Sequence, residues 1–364
     1  YIYTYILNCM LYKRMPIEKE SPEEKGYDTI LYNLAESSVT DILYSELNIE
    51  PGHLKLEYTS HRGKPELREL IVQGQPGLLG NDVLLTNGAA GALFIIHSAL
   101  LNAGDHIIVV RPNYATNIEV PKAIGCSISY INLQFDEQWR MNLQSVLQSI
   151  TPATKLISIT SPHNPTGMLM GMSEINELIK IAEEKNIMLL ADETYRDACF
   201  ITPYPLLASL SKNVISVSSL SKAYGLPGLR MGWLITKNEE MYEQFLAAKE
   251  MIYITNSVLD EEIAYRFYLQ KNNWLKKINA HAQNNLDILR QWLQDETSME
   301  YVLPEGGVVC FPRFKKDIMI DAEFFHSILQ NKYKTMTGPG HWFEMPDTYM
   351  RIGFGWTNAE TLKQ

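Results

Sequence analysis

The sequence predicts an α/β protein: a mostly parallel sheet sandwiched by helices, with a smaller α+β domain. Three observations carry this. From about residue 80 to 236, short β-branched or apolar runs alternate with amphipathic stretches, the pattern of strand–helix–strand units. The short runs are rich in apolar and β-branched residues, as in buried strands. Beyond Thr236 the pattern changes to long helical stretches followed by short strands. The chain has 364 residues, enough for two domains and a large core.

The apolar run 83–85 leads into a turn rich in small residues. Residues 106–111 (HIIVVR), 127–132 (SISYIN), 155–161 (KLISITS), 187–192 (IMLLAD) and 213–218 (NVISVS) read as buried strands. Stretches 89–102, 115–123, 142–150 and 173–185 read as the helices between them, the last with Ser173 as N-cap and acids in its first turn. Helices are expected next at 239–253, 259–270 and 274–294, and short strands at 308–312 and 349–354. A large domain is expected over 50–250, and a small domain over 1–49 and 251–364 with an N-terminal arm. The arm, 1–10, is aromatic and apolar, and its basic pair Lys13-Arg14 follows it. A signal peptide has its charge first, so the segment reads as an arm packed on the body or on a partner subunit. The chain begins without Met and stops at Gln364 in a helix-like pattern, so both ends are expected to be incomplete.

A net charge of −10 argues against a polyanion-binding surface, and nucleic acid is not expected as a partner. Cys9, Cys126, Cys199 and Cys310 are scattered without a CxxC pair, which points away from a disulfide framework and toward the cytoplasm. The eight histidines lack metal-binding spacing, so no metal is expected. No apolar run is long enough for a membrane span.

Several polar groups follow predicted strands, where ligands bind in open parallel sheets. Lys222 lies in Ser218-Ser219-Leu220-Ser221-Lys222-Ala223-Tyr224-Gly225, with Arg230 eight residues on. A partly buried lysine loses its proton easily and suits carbonyl chemistry, while serine hydroxyls and a guanidinium suit a phosphate. Gly88-Ala89-Ala90 opens a helix whose free N–H groups suit a phosphate, or form a plain helix start. Asp192 ends an apolar strand and needs donors or a cation; Tyr195 lies three residues further. Asn164 sits in a rigid turn, Ser161-Pro162-His163-Asn164-Pro165-Thr166-Gly167. Tyr114 follows HIIVVR and suits stacking on a heterocycle or packing in the core. Arg351 lies in a strand pattern and needs a carboxylate, from a ligand or from a salt bridge.

Asn-Pro-Thr-Gly, Asp-Glu-x-Tyr and Ser-x-Ser-Lys with Arg eight later, in this order, resemble the fold-type I pyridoxal-phosphate enzymes of the class I/II aminotransferase family. The resemblance runs from about Tyr58 to Phe354. It implies pyridoxal 5′-phosphate as cofactor, joined to Lys222 as a Schiff base, with Lys222 also shuttling the substrate proton. It places Asp192 at the pyridine nitrogen, Tyr195 and Asn164 at the ring oxygen, and Tyr114 on the ring face. Gly88, Ala89, Ala90, Ser219, Ser221 and Arg230 take the phosphate. Tyr58 matches a tyrosine that reaches the neighbouring subunit's phosphate, which implies a homodimer with shared active sites. Arg351 matches the clamp for the substrate α-carboxylate. The segment Asn33-Leu34-Ala35-Glu36-Ser37-Ser38-Val39 departs from the family's glycine-containing version and is similar to a branch with capreomycidine-synthase-like enzymes, which act on arginine derivatives. A carboxylate at Glu36 would favour a cationic amino acid, the alternatives being a helix-capping or dimer-facing glutamate. The activity implied is amino-group transfer between an amino acid and a 2-oxo acid. The alternative is elimination or cyclisation by a lyase or cyclase on the same scaffold.

Overall fold

The computed structural model describes residues 10–50, 52, 54–201 and 203–364; all of the 1–10 arm except Met10 lies outside the described residues. In chain order the strands are β1 (Tyr32–Asn33), β2 (Val83–Asn87), β3 (His106–Arg111), β4 (Ser127–Asn132), β5 (Thr154–Thr160), β6 (Met188–Asp192), β7 (Val214–Ser219) and β8 (Met231–Ile235). Strands β2–β8 form one seven-stranded sheet in the order β2-β8-β7-β6-β5-β3-β4. All neighbours from β7 to β4 pair in parallel, and β8 runs antiparallel to both β7 and β2.

Successive residues of the central strands point into opposite cores, as the two-residue strand period requires. Ile108, Val110, Ile157, Ile159, Leu189 and Ala191 pack with Ile175, Leu178 and Ala182 of the helix Met172–Lys185. Ile107, Val109, Leu156, Met188 and Leu190 pack on the other face, with Leu93 and Ile96 of the helix Gly88–Leu100 and Phe245 of the helix Glu239–Ile252. Helices on both sides therefore account for apolar residues on both faces of the central strands.

The predicted strands and helices are present, with ends shifted by a few residues. One local expectation fails: Ser173 is not the N-cap. The helix starts at Met172 behind Gly171, and Glu174 reaches back to accept a hydrogen bond from the Gly171 N–H at 2.7 Å. The acid supplies the terminal interaction expected of the serine. Strand β8 was not foreseen. A loop of eleven residues joins it to β7, too short for a parallel crossover, so the chain turns back as an antiparallel neighbour.

The C-terminal region carries β9 (Met299–Glu300), β10 (Val309–Cys310), β11 (Arg313–Phe314), β12 (Thr335–Met336), β13 (Gly338–Pro339) and β14 (Met350–Gly353), together with the helix Ala322–Asn331. Strand β1 joins this region by pairing in parallel with β12. Two further helices, Pro16–Glu20 and Pro22–Lys25, were also unforeseen; each starts on a proline with acids in its first turn. Among the described residues no helix is long and apolar enough to cross a membrane.

Candidate active site

A cavity of about 440 Å³ opens at the carboxyl ends of the sheet strands. Asp192 is the last residue of β6, Ser219 the last of β7, and Lys222 follows three residues later. Thr160 ends β5, and Asn113 and Tyr114 follow β3. All of these side chains line the same cavity. The topology thus brings to one point residues that lie far apart in the sequence.

Asp192 is buried. Its Oδ1 accepts from the Thr194 N–H at 3.0 Å and the Thr194 hydroxyl at 2.6 Å, and Oδ2 accepts from no group among the described residues. Burial raises its pKa, and the Thr194 bonds only partly oppose this. A carboxylate so placed is short of a positive partner. Lys222 is half-buried, and burial lowers the pKa of its amine, with Glu36 opposing and Arg351 reinforcing the shift. An amine held this way reaches its neutral, nucleophilic form more easily than a solvated lysine.

At one end of the cavity, the helix Gly88–Leu100 begins without a side-chain cap on its first N–H groups. Gly88 has φ +72°, and a Cβ there would lie 2.6 Å from Arg230 Nη2. Arg230 itself holds a left-handed φ of 47°, and its Nη1 donates to Ser221 Oγ at 3.4 Å. Uncapped amides, small side chains (Ala89, Ala90), hydroxyls and a guanidinium together make an anion cradle.

Arg351, on β14, is 3% exposed. Its Nη1 donates to Asn164 Oδ1 at 3.0 Å and its Nη2 to the Ala35 carbonyl at 2.6 Å, while Nε has no partner among the described residues. The bond from Arg351 fixes the Asn164 amide so that its N–H₂ is left for another acceptor. Tyr195 is buried and its hydroxyl has no partner of good geometry among the described residues; burial pushes its pKa up to about 12, with Arg351 and Ser37 opposing. Orphaned donors so deeply buried, and lining a cavity, call for a bound acceptor.

The sequence profile of the family described as aminotransferase class I and II matches residues 32–364. The chain belongs to this family. An aspartate aminotransferase from Sulfurisphaera tokodaii is 27% identical over 314 residues, 82% of this chain and 77% of that one. A capreomycidine synthase from Streptomyces vinaceus is 26% identical over 342 residues, 90% and 86%. Among solved structures, a PLP-dependent aminotransferase from Streptococcus suis 89-1591 superposes with a TM-score of 0.88 at 28% identity, covering 96% of this chain and 95% of that one.

As a class I and II aminotransferase, the chain uses pyridoxal 5′-phosphate and transfers amino groups, and its cavity fits that cofactor. The unpaired Asp192 oxygen suits a protonated ring nitrogen, the orphaned Tyr195 hydroxyl suits the ring oxygen, and the glycine-opened cradle at Arg230 suits the phosphate.

Ala89, Ala90, Tyr114, Asn164, Asp192, Tyr195, Ser219, Ser221, Lys222, Arg230, Glu36 and Arg351 all line the cavity, and Gly88 touches it through Arg230. Tyr58 does not line it: its side chain is 79% exposed. Sequence reasoning missed Thr194, the donor to Asp192, and the outer wall made by Glu18, Glu23, Tyr27 and Trp342. The wall's signal was available in the two proline-led acidic starts at Pro16 and Pro22.

Proposed function

We propose that this aminotransferase moves the amino group of an amino acid with a cationic side chain to a 2-oxo acid. The charge inventory of the cavity carries the reading. Its lining cations are Lys222, Arg230 and Arg351, and its carboxylates are Asp192, Glu18, Glu23, Glu24, Glu36 and Asp41. Three cations have uses at the cofactor end: Lys222 for the cofactor carbonyl, Arg230 for its phosphate, Arg351 for the substrate α-carboxylate. Asp192 is matched to the ring nitrogen. Five carboxylates remain. Among the described residues only Glu24 has an ion-pair partner, Arg14 at 3.3 Å. A side-chain carboxylate would enter like charge, and an ammonium or guanidinium would enter complementary charge.

Pyridoxal phosphate, when bound, supplies an electron sink for the pair released at the amino acid Cα. The chain's own groups do the rest. Arg351 binds the α-carboxylate through its free edge and so fixes which Cα bond faces Lys222. Lys222 takes the Cα proton, for which a neutral amine is required. Asp192 would hold the positive charge of the ring nitrogen, Tyr195 and the Asn164 amide would donate to the ring oxygen, and Tyr114 would stack on the ring. Gly88, Ala89, Ala90, Ser219, Ser221 and Arg230 would hold the phosphate.

The homodimer belongs to the same proposal. Exposed Tyr58, Leu56 and Met251 support it, with Tyr58 reaching the phosphate of the other subunit. So does the division into a large domain over 50–250 and a small domain over 1–49 and 251–364. Unpaired Cys126, Cys199 and Cys310 support a cytoplasmic setting. The acidic wall also favours a second reading, cyclisation of a cationic substrate.

The test is a panel of cationic, neutral and acidic amino acids given to the holoenzyme, read by change in cofactor absorbance and by product mass. Keto acid from arginine, ornithine or lysine at rates well above those from aspartate or leucine supports transfer. A product that keeps its nitrogen and forms a ring supports cyclisation. Preference for aspartate overturns the cationic reading, and no conversion of any amino acid overturns the assignment of roles.

A further inference from the structure

The outer wall of the cavity is built from short helices with little core of their own. Pro16–Glu20 has no buried residue and Pro22–Lys25 buries only Pro22, yet Ile17, Glu18, Ser21, Pro22 and Glu23 all face the cavity. A wall so weakly packed needs an anchor, and the structure has one. Glu20 Oε2 accepts from the Trp342 indole N–H at 2.9 Å and lies 2.8 Å from His341 Nε2. On the other side of the same ring, Nδ1 lies 2.8 Å from Asp347 Oδ1. Both ring nitrogens thus face carboxylate oxygens, which accept and do not donate. Both contacts are hydrogen bonds only when both nitrogens carry protons.

The anchoring turn also reaches the substrate end of the site. Trp342, next to His341, is 2% exposed and lines the cavity, and the Arg351 guanidinium sits 6.0 Å from its ring and 5.0 Å from that of Phe343. One three-residue turn therefore holds the wall on one side and packs against the carboxylate-binding arginine on the other.

We infer that His341 is a positioning residue for amino-acid binding: as an imidazolium bridging Glu20 and Asp347, it clamps the N-terminal wall over the cavity. This rests on the reading above only in taking the cavity as the place where the amino acid enters. Burial lowers the imidazole pKa, but the bonds to Glu20 and Asp347 outweigh it and raise it. The other charged groups around the ring are Lys25, which lines a 120 Å³ cavity with Glu20 and His341, and His326, whose Nε2 lies 3.2 Å from the Asp347 carbonyl. The sign follows. A raised histidine gives its full contribution below the ordinary imidazole pKa, and that contribution is lost as pH rises through the folded-state value.

Two variants of the holoenzyme test this. His341→Gln keeps a donor and removes the charge; Glu20→Gln keeps an acceptor and removes the charge. Each is expected to raise KM for the amino acid about five- to tenfold, roughly what a modest charged contact is worth, with kcat within twofold. KM of the unmutated enzyme should climb through the imidazole titration relative to both variants, whose profiles lack that rise. Hydrogen exchange at residues 16–25 should quicken at least several-fold in both variants, with β6 unchanged. The double variant should be no worse than His341→Gln alone, because that substitution already removes the His341–Glu20 contact. Exchange at 16–25 equal to that of the unmutated protein, or kcat falling in step with binding, overturns the clamp. If His341→Gln does not fold, Glu20→Gln decides by the same criteria. If no amino acid is converted, the functional reading fails and the exchange comparison still decides the clamp.

Discussion

The two ends of the cavity are built in different ways. At the cofactor end, Asp192, Ser219 and Thr160 end buried strands and Gly88 opens the helix that follows β2, on a sheet packed on both faces. At the outer end, Glu18, Glu23, Tyr27 and Glu36 sit on short helices and a loop held by individual polar contacts, such as Tyr27 Oη to Glu36 Oε1 at 2.9 Å and the Trp356 indole to Asp41 Oδ2 at 2.9 Å. Tyr27 and Trp356 also stack, with ring centroids 6.1 Å apart. A rigid scaffold suits groups that must meet a reacting centre within fractions of an ångström. A thin polar wall suits a choice between substrates, which needs charge of the right sign more than exact placement.

Mutations at the two ends should therefore fail differently. The largest effect is expected at Lys222. Lys222→Ala should cut turnover by about 10⁴-fold or more, since among the described residues no other amine lines the cavity; circular dichroism and the amino-acid panel check fold and rate together. Asp192→Ala should follow, with a loss of about 10²–10³-fold in the rate of Cα deprotonation, comparable to removing one electrostatic stabiliser, and weaker cofactor retention on dialysis. At the outer end, Glu36→Gln should leave turnover of a neutral amino acid intact and lower kcat/KM for a cationic one about fivefold, the worth of a partly solvated charge pair. Equal losses for both substrate types in that variant would erase the distinction between the two ends.

The same division governs what could be read in the sequence. Strands buried on both faces leave runs rich in apolar and β-branched residues, so β3, β5, β6 and β7 and the residues at their ends were legible. The runs have no way to show direction, which left antiparallel β8 unseen until its short connection was known. Asn164 and Arg351 are 187 positions apart and share a hydrogen bond; local pattern marks each as polar in an ordered setting and says nothing of their meeting. The wall helices are five and four residues long, too short to show a period. Glu36 was legible as a charge, whereas its neighbours Glu18, Glu23 and Asp41 reach it only through the fold.

The two ends should also respond to pH in opposite directions, an effect read in stability rather than in rate. His97, in the helix that opens the phosphate cradle, is fully buried with neither ring nitrogen bonded to any described residue, and burial lowers its pKa to about 3. Its unfolded pKa is near 6.5. Between these values the unfolded chain binds a proton that the folded one refuses, so stability falls as pH falls, by about 1.4 kcal/mol per pH unit from this group, and is level above the window. His341 has the reverse sign, because its folded-state pKa is raised. Acid should thus loosen the helix behind the cofactor while the wall stays clamped, and a pH raised through the folded-state value of His341 should release the wall while the sheet stays intact. Urea titrations from pH 5 to 7 on the native chain and on His97→Leu check the first half. The variant should lose the slope from this group, and identical slopes in the two proteins would mean that the His97 imidazole finds a proton acceptor or water inside the fold.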